Sequence, residues 1–433
     1  MERYDAYKDS GVEWIGEIPA GWKCVNLSAI SKQRKHQNKE GNVETVLSLS
    51  YGKVKHRILD NSGLLPESFN TYNIIEGGDV VLRLTDLQNN QTSLRVGLCH
   101  EEGIITSAYV TLVPISVDSR YLFYCLAVFD YWKGFYGLAG GVRQSLTFDG
   151  IRSLRFPLPN KGEQQAIADY LDAKTGEIDG LIADCEREVE LLQEYRKSVI
   201  SEAVTKGLDP TVPMKDSGIE WIGDIPEHWN AGKLLRHARL ESGHTPSRLH
   251  PEWWLEEKCT IPWITTQDVH RFRDGQITCI DDTELHISQI GLENSSARWL
   301  PAGTVALSRT ASVGFSIVLS IPMASSQDFA DWIPDESLDS FYLLYTLRSM
   351  DMIFKQLQMG STHKTIYMPD IMKLAIAYPP LQEQREIASY LDTKTAEIDA
   401  LIADKQTMVD KLHEYRKSLI SEAVTGKFKV PGA

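Results

Sequence analysis

Cysteine is scarce and scattered in this 433-residue chain: Cys24, Cys99, Cys125, Cys185, Cys259 and Cys279 are all there are, and no two form a C-x-x-C pair. Such spacing offers neither a zinc site nor a disulfide framework and fits a reducing cytoplasm. The eleven histidines are dispersed, with no H-E-x-x-H ligand spacing. No segment approaches the ~18 apolar residues of a membrane span. The apolar stretch from Leu122 to Trp132 is interrupted by Asp130 and reads as core. The opening MERYDAYKDSG is polar and lacks the apolar region of a signal peptide, so a cytoplasmic location is expected. There is no G-x-x-x-x-G-K-[ST] phosphate loop, no G-x-G-x-x-G fingerprint, no [DN]-P-P-[YF] amino-methyltransferase motif and no nuclease carboxylate cluster. These absences argue against a standalone enzyme, and neither a catalytic residue nor a metal or cofactor is expected on this chain.

What is present is ordinary for globular protein: 42% hydrophobic and 24% charged residues, at a length that suits two to four domains. The net charge of −14 is unevenly spread. Residues 23–156 carry 15 basic and 12 acidic side chains, and residues 230–377 carry 13 and 17. The acidity therefore sits mostly outside these two near-neutral blocks, and any polyanion would have to meet local patches within them.

The chain is written twice. YKDSGVEWIGEIPAGW (7–22) returns as MKDSGIEWIGDIPEHW (214–229), an offset of 207. EQQAIADYLDAKTGEIDGLIAD (163–184) returns as EQREIASYLDTKTAEIDALIAD (383–404), and EYRKSVISEAVT (194–205) as EYRKSLISEAVT (414–425), both at an offset of 220. Each half is thus a short shared segment, a long private block and a shared helix. The helices show a heptad stripe: Ile167, Leu171, Ile178, Leu181, Leu192 and Val199 in the first, Ile387, Leu391, Ile398, Leu401, Leu412 and Leu419 in the second. About 40 residues at 1.5 Å each make a rod of ~60 Å, which cannot keep its apolar face in water. The economical partner is the other rod; the alternative is that each packs on its own domain. Antiparallel rods would relate the halves by a pseudo-twofold axis, with one chain imitating a symmetric dimer. The tryptophans of the shared openings, Trp14, Trp22, Trp221 and Trp229, read as staples that hold each block to the frame rather than as stacking platforms.

The private blocks read as α+β modules of similar plan, with short β-rich runs and one core helix each. Polar residues gather after the expected strands. The first block offers Arg83, Thr85, Asp86, Gln88, Asn89, Asn90 and Gln91, and the second His244, Thr245, Thr265, Thr266, Gln267, Arg309 and Thr310. Paired loops near Gly140 and Gly360 add Arg143, Gln144, His363 and Lys364. Arg and Lys match guanine edges or phosphates, and Asn and Gln match adenine N6 and N7. The same residue types also build ordinary turns.

The EWIG-x-IP-x-x-W openings, the EQ-x-x-IA-x-YLD-x-KT-x-EID helix starts and the EYRKS-x-ISEAVT ends resemble the conserved regions of the specificity (S) subunits of Type I restriction-modification systems. TYNIIEGGDVVLRLTDLQNN with GIITSAYVTL, and SGHTPSR with IPWITTQDV, LPAGTVALSRTASVG and SSQDFADWIP, resemble two of that family's target-recognition domain types. The resemblance covers essentially the whole chain. It implies an α+β fold with two target-recognition domains in inverted orientation, joined by a long antiparallel coiled coil. The division would be 1–156 (opening and first domain), 157–213 (central helix and linker), 214–377 (second opening and domain) and 378–433 (final helix). It further implies that each domain reads one half of a bipartite, asymmetric site in double-stranded DNA and that the coiled coil sets their separation. Two methyltransferase (M) subunits and two restriction/translocase (R) subunits would be partners. S-adenosylmethionine, ATP and Mg²⁺ would bind those partners, which would supply adenine-N6 methylation and ATP-dependent cleavage. The competing expectation is a coiled-coil adaptor that joins proteins and reads no sequence.

Overall fold

A computed structural model describes residues 2–57, 68–89, 94–138, 144–358 and 365–433. The chain condenses into two compact units, Met1–Cys185 with Thr407–Ala433, and Glu186–Gln406.

In the first unit, Ser31–Gln33 (β1), Leu47–Ser50 (β2), Lys53–His56 (β3), Val80–Leu82 (β4), Val96–Leu98 (β5) and Val110–Pro114 (β6) form a sheet in the order β1-β6-β4-β5-β3-β2. Neighbours are antiparallel except β3 beside β5. Both faces of β4 are covered, so Val80, Val81 and Leu82 are all buried, as a strand without a wet face requires. Val80 and Leu82 face the helix Ser119–Tyr131 (α1), while Val81 faces a second cluster with Leu49, Ile75 and Ile105. Asp130, which interrupts the apolar run, is buried and accepts the Arg95 amide at 2.7 Å. The helix Lys161–Lys206 (α2) follows.

The second unit has Ala238–Glu241 (β7), Cys259–Ile264 (β8), Cys279–Ile280 (β9), His286–Ser288 (β10), Val305–Ser308 (β11), Ser316–Leu319 (β12), Ala324–Ser325 (β13) and Phe329–Pro334 (β14), then the helices Ser340–Ser349 (α3) and Leu381–Val424 (α4). Its sheets run β7-β14-β11-β12-β9 and β10-β8-β13. The antiparallel core β1-β6-β4-β5 of the first unit therefore recurs as β7-β14-β11-β12, with α1 on β4 and β5 and α3 on β11 and β12. The expected α+β modules of similar plan are present.

Within each unit the two long helices run antiparallel. In the first, Asp179 pairs with Arg416 at 3.0 Å, and Tyr170 packs edge-on against Phe428 just past the end of α4. In the second, Arg196 pairs with Asp399 at 2.9 Å and Glu188 pairs with Lys405. Ile167, Leu171, Ile178, Val199, Ile387, Leu391, Ile398 and Leu419 are buried as the heptads require, and Leu192 and Leu412 are half-buried. Leu181 and Leu401 are corrections: they stand 52% and 51% exposed, and Ile182 and Ile402 take the inward positions. From Ile178 both the third and fourth following residues are apolar, and the helix contact selects the fourth.

The repeated polar letters turn out to be joints. The Glu of each EQ pair accepts a tryptophan N–H: Trp22 Nε1 to Glu163 at 3.2 Å, Trp229 Nε1 to Glu383 at 3.0 Å. The Gln accepts the amide of the core-helix N-cap, Asp118 to Gln164 and Asp339 to Gln384, at 2.9 and 2.8 Å. Each N-cap carboxylate in turn accepts two first-turn amides. The Asp of each YLD accepts a core tyrosine, Tyr124 to Asp172 and Tyr345 to Asp392, at 2.7 and 2.6 Å. Trp22 and Trp229 are fully buried, so they are staples of the frame. Trp14 packs edge-on against Phe129 and Phe156, as a staple would.

Two joints exchange copies. In the first unit Tyr121 donates to the carbonyl of Val424, and in the second the matching Tyr342 donates to that of Val204. Likewise Asp179 meets the Arg416 of the other copy, and Asp399 meets Arg196. Residue i of one copy meeting j of the other, with j also meeting i, is the contact pattern of an isologous dimer interface. A phrase that must serve both roles in such a contact has to be written twice.

Candidate nucleic-acid interface

In the first unit the polar loop leaves β4 at Leu82. Arg95, 2% exposed, grips it from behind. Its guanidinium donates to the carbonyl of Thr85 at 2.7 Å and of Asp86 at 3.2 Å. Leu87 is the loop's buried anchor, and Asp86 adopts φ +51°. A left-handed non-glycine residue is sustained only where surrounding bonds over-determine it. With its backbone held, the loop leaves Asp86, Gln88 and Asn89 exposed and Arg83 and Thr85 half-exposed. Gln144 joins them: its carbonyl accepts the Leu87 amide at 3.0 Å, and its amide donates to the Gln88 side chain at 3.1 Å. Loops 56 residues apart in sequence thus form one polar surface.

In the second unit β7 and β11 are parallel with β14 antiparallel between them, so the segments after β7 and β11 leave the sheet at one end. His244 donates its amide to the Ser325 carbonyl at 3.1 Å, and Thr245 Oγ1 donates to Gln327 at 2.7 Å. Arg309 donates its amide to the Asp328 carbonyl, and its own carbonyl accepts from Ile366. Thr310 bridges Thr365. Ser326 donates to Ile264 at the end of β8, which brings Thr266 and Gln267 alongside. Gly243 is obligatory here, because a Cβ would lie 1.8 Å from the Ser325 carbonyl oxygen.

Thr265 is a correction. It is buried, and its amide and hydroxyl both donate to Asp268 Oδ2, at 2.8 and 3.2 Å, so it closes the turn that presents Thr266 and Gln267. Asn90, Gln91, Arg143, His363 and Lys364 lie outside the described residues. Arg95 and Gln327, which complete the two clusters, were not legible as site residues. Arg95 acts through backbone carbonyls, and Gln327 comes from the segment entering the strand between β7 and β11.

Asp331 lies beneath the second cluster, fully buried, with its carboxylate accepting Ser325 Oγ at 2.5 Å. Burial pushes its carboxyl up to about 7, with Glu241 adding to the rise and the Ser325 bond and Arg309 opposing it. The folded chain therefore holds a proton that the unfolded chain gives up near the usual carboxylate range. The stability from this group is complete below about pH 4 and is lost as pH rises through about 7, roughly 4 kcal/mol in all. Asp331→Asn is expected to flatten the pH dependence of the denaturation midpoint between pH 4 and 7 and to raise stability at pH 8. An unchanged slope would contradict this.

Among the described residues no group of three or more His, Cys, Asp or Glu side chains could hold a metal ion, and no helix is long and apolar enough to cross a membrane.

Comparison with known proteins agrees with this geometry. Residues 56–190 and 227–409 match the family model for the Type I restriction modification DNA specificity domain, one match for each half of the repeat. The MjaIX specificity subunit of a Type I restriction enzyme from Methanocaldococcus jannaschii is 29% identical over 187 residues, which span 43% of this chain and 41% of that protein. The putative MjaX specificity subunit of the same organism is 23% identical over 96% of both chains. A solved chain from a study of complex assembly and conformational transition in the type I R-M system superimposes with a TM-score of 0.71. That match covers 94% of this chain and 98% of that one at 17% identity, a likeness of fold. With the family model matched over most of its length in two copies, the chain belongs to the Type I restriction modification DNA specificity domain family.

Proposed function

We propose that this chain is the DNA-reading subunit of a Type I restriction-modification assembly. Each unit reads one half of a bipartite, asymmetric site through the loops at one end of its sheet. The paired helices fix the separation of the half-sites and offer the frame on which two methyltransferase subunits dock, with two restriction/translocase subunits completing the assembly. S-adenosylmethionine, ATP and Mg²⁺ belong to those partners, which carry out adenine-N6 methylation and ATP-driven cleavage in the cytoplasm. This chain contributes recognition and no chemistry.

One observation carries the proposal. Two modules of one plan keep a repeated set of joints, yet differ in the loops those joints hold, Arg83–Asn89 against His244–Thr245, Thr266–Gln267 and Arg309–Thr310. A purely structural adaptor has no need of unlike loops on like scaffolds. The adaptor reading and this one part on salt dependence. Assembled with methyltransferase subunits, the chain should bind duplex DNA with an affinity that falls steeply as salt rises, with a logarithmic slope of about 0.9 per neutralised phosphate. Affinity for DNA that is absent, or flat with salt, would favour the adaptor.

A further inference from the structure

Resting on the DNA-reading proposal, a second surface of the first unit can be assigned. In that unit β6 is antiparallel to both β1 and β4, with Gln33 and Val80 each opposite Leu112. The chain therefore leaves β1 and β4 at the same end of the sheet. In the second unit the corresponding strands, β7 and β11, both deliver candidate contacts. In the first unit the segment after β1 is RKHQNKEGN, Arg34 to Asn42, which follows β1 out of the sheet in the direction in which β4 also runs, packs along Tyr72–Asp79, and has no strand signal to mark it.

The segment is built rather than loose. His36 accepts the Ile74 amide at 2.7 Å, and Asn38 donates its amide to the Tyr72 carbonyl at 2.9 Å. The Asn38 side chain, 3% exposed, closes the turn by donating to the Val43 carbonyl and accepting its amide, at 2.9 and 3.2 Å. Arg34 is consumed as a strut, forked onto Glu76 and held to Asp79. Lys35, His36 and Lys39 are exposed along a cleft of about 680 Å³. No acidic side chain pairs with Lys35 or Lys39 among the described residues. Glu40, the one carboxylate among the described lining residues, accepts from Asn42 at 2.9 Å.

We propose that this cleft seats the sugar–phosphate backbone of duplex DNA beside the half-site read by the first unit, with Lys35 and Lys39 as its phosphate contacts. Lysine serves here as a compact point charge on a phosphate rather than as a bidentate reader of bases. The segment supplies affinity and register, and the Arg83–Asn89 loop with Gln144 supplies sequence choice.

The test is the Lys35→Ala, Lys39→Ala double variant, assembled with methyltransferase subunits and titrated with a duplex carrying the methylated site across a salt series. Both side chains are exposed, so the thermal midpoint should not move. The magnitude of the salt slope should fall by about 1.8, two phosphates at about 0.9 each, while the methylated sequence stays the same in both halves. An unchanged slope overturns the assignment, and so does an altered base preference in either half-site. Wild-type protein with no salt-dependent site binding would instead defeat the DNA-reading proposal, and this inference with it.

Discussion

Replacing residues 23–156 with the corresponding block of another family member should exchange one half of the methylated DNA sequence and leave the other half untouched. The expected effect is all-or-none, because the loops that differ between the units lie inside the exchanged block. The frame that holds it lies partly outside, at Trp22, Glu163 and Gln164. The block is not wholly independent, however. Asp118, Tyr121 and Tyr124 belong to it and dock on the frame through Gln164, Val424 and Asp172. The second unit repeats this spacing as Asp339, Tyr342 and Tyr345. A donor block must therefore bring Asp-x-x-Tyr-x-x-Tyr at the start of its core helix. Donors lacking it should fail to assemble, since each buried hydroxyl or carboxylate left unpaired costs about 1–3 kcal/mol. Methylation mapping of the exchanged chain reads the result, and a change in both half-sites at once would refute modular recognition.

The second large effect is expected at the exchanged ion pair. Arg196 and Asp399 are 12% and 17% exposed and meet through two contacts, Nε to Oδ1 at 2.9 Å and Nη2 to Oδ2 at 3.1 Å. Arg196 also donates to the Gly275 carbonyl at 2.7 Å. Truncation to alanine strands a nearly buried carboxylate, and breaking a pair of this kind costs about 3 kcal/mol. The sibling pair is wetter, with Asp179 43% exposed, so Arg416→Ala should cost about 1 kcal/mol. Combining Arg196→Asp with Asp399→Arg should recover part of the loss. Chemical denaturation of the three variants checks the order. Equal losses for Arg196→Ala and Arg416→Ala would contradict the unequal burial assigned to the two pairs.

Much of the frame was legible because its requirements are periodic and repeated. Helix length and the heptad stripe follow from residues such as Ile167, Leu171, Ile387 and Leu391, all buried, whereas the antiparallel course was implied only by the family resemblance and is seen in pairs such as Asp179 with Arg416. The phase of the stripe was not legible at Leu181–Ile182 and Leu401–Ile402. Two adjacent apolar residues satisfy either phase, and only the partner helix chooses. The candidate loops were legible as polar runs after β-rich segments. Their supports were not, because Arg95 acts on backbone carbonyls and Asp331 acts from beneath. Lys35 and Lys39 were hidden for a topological reason. β1 has three residues, too few to announce a strand, and its place at the sheet edge beside β6 is fixed by distant pairing, Ser31–Gln33 with Leu112–Pro114. Thr265 shows the opposite case, a polar residue in a candidate loop whose hydroxyl is spent on Asp268.

The central claim is that two like modules with unlike loops read two parts of one DNA site. Its most direct test is a map of adenine-N6 methylation in DNA from cells that express this chain with the methyltransferase subunits proposed for it, set against cells lacking the chain. The account predicts a single motif made of two different specific parts with an unspecified gap between them, lost when the chain is absent. An undivided or palindromic motif, or a methylation pattern indifferent to the chain, would contradict it.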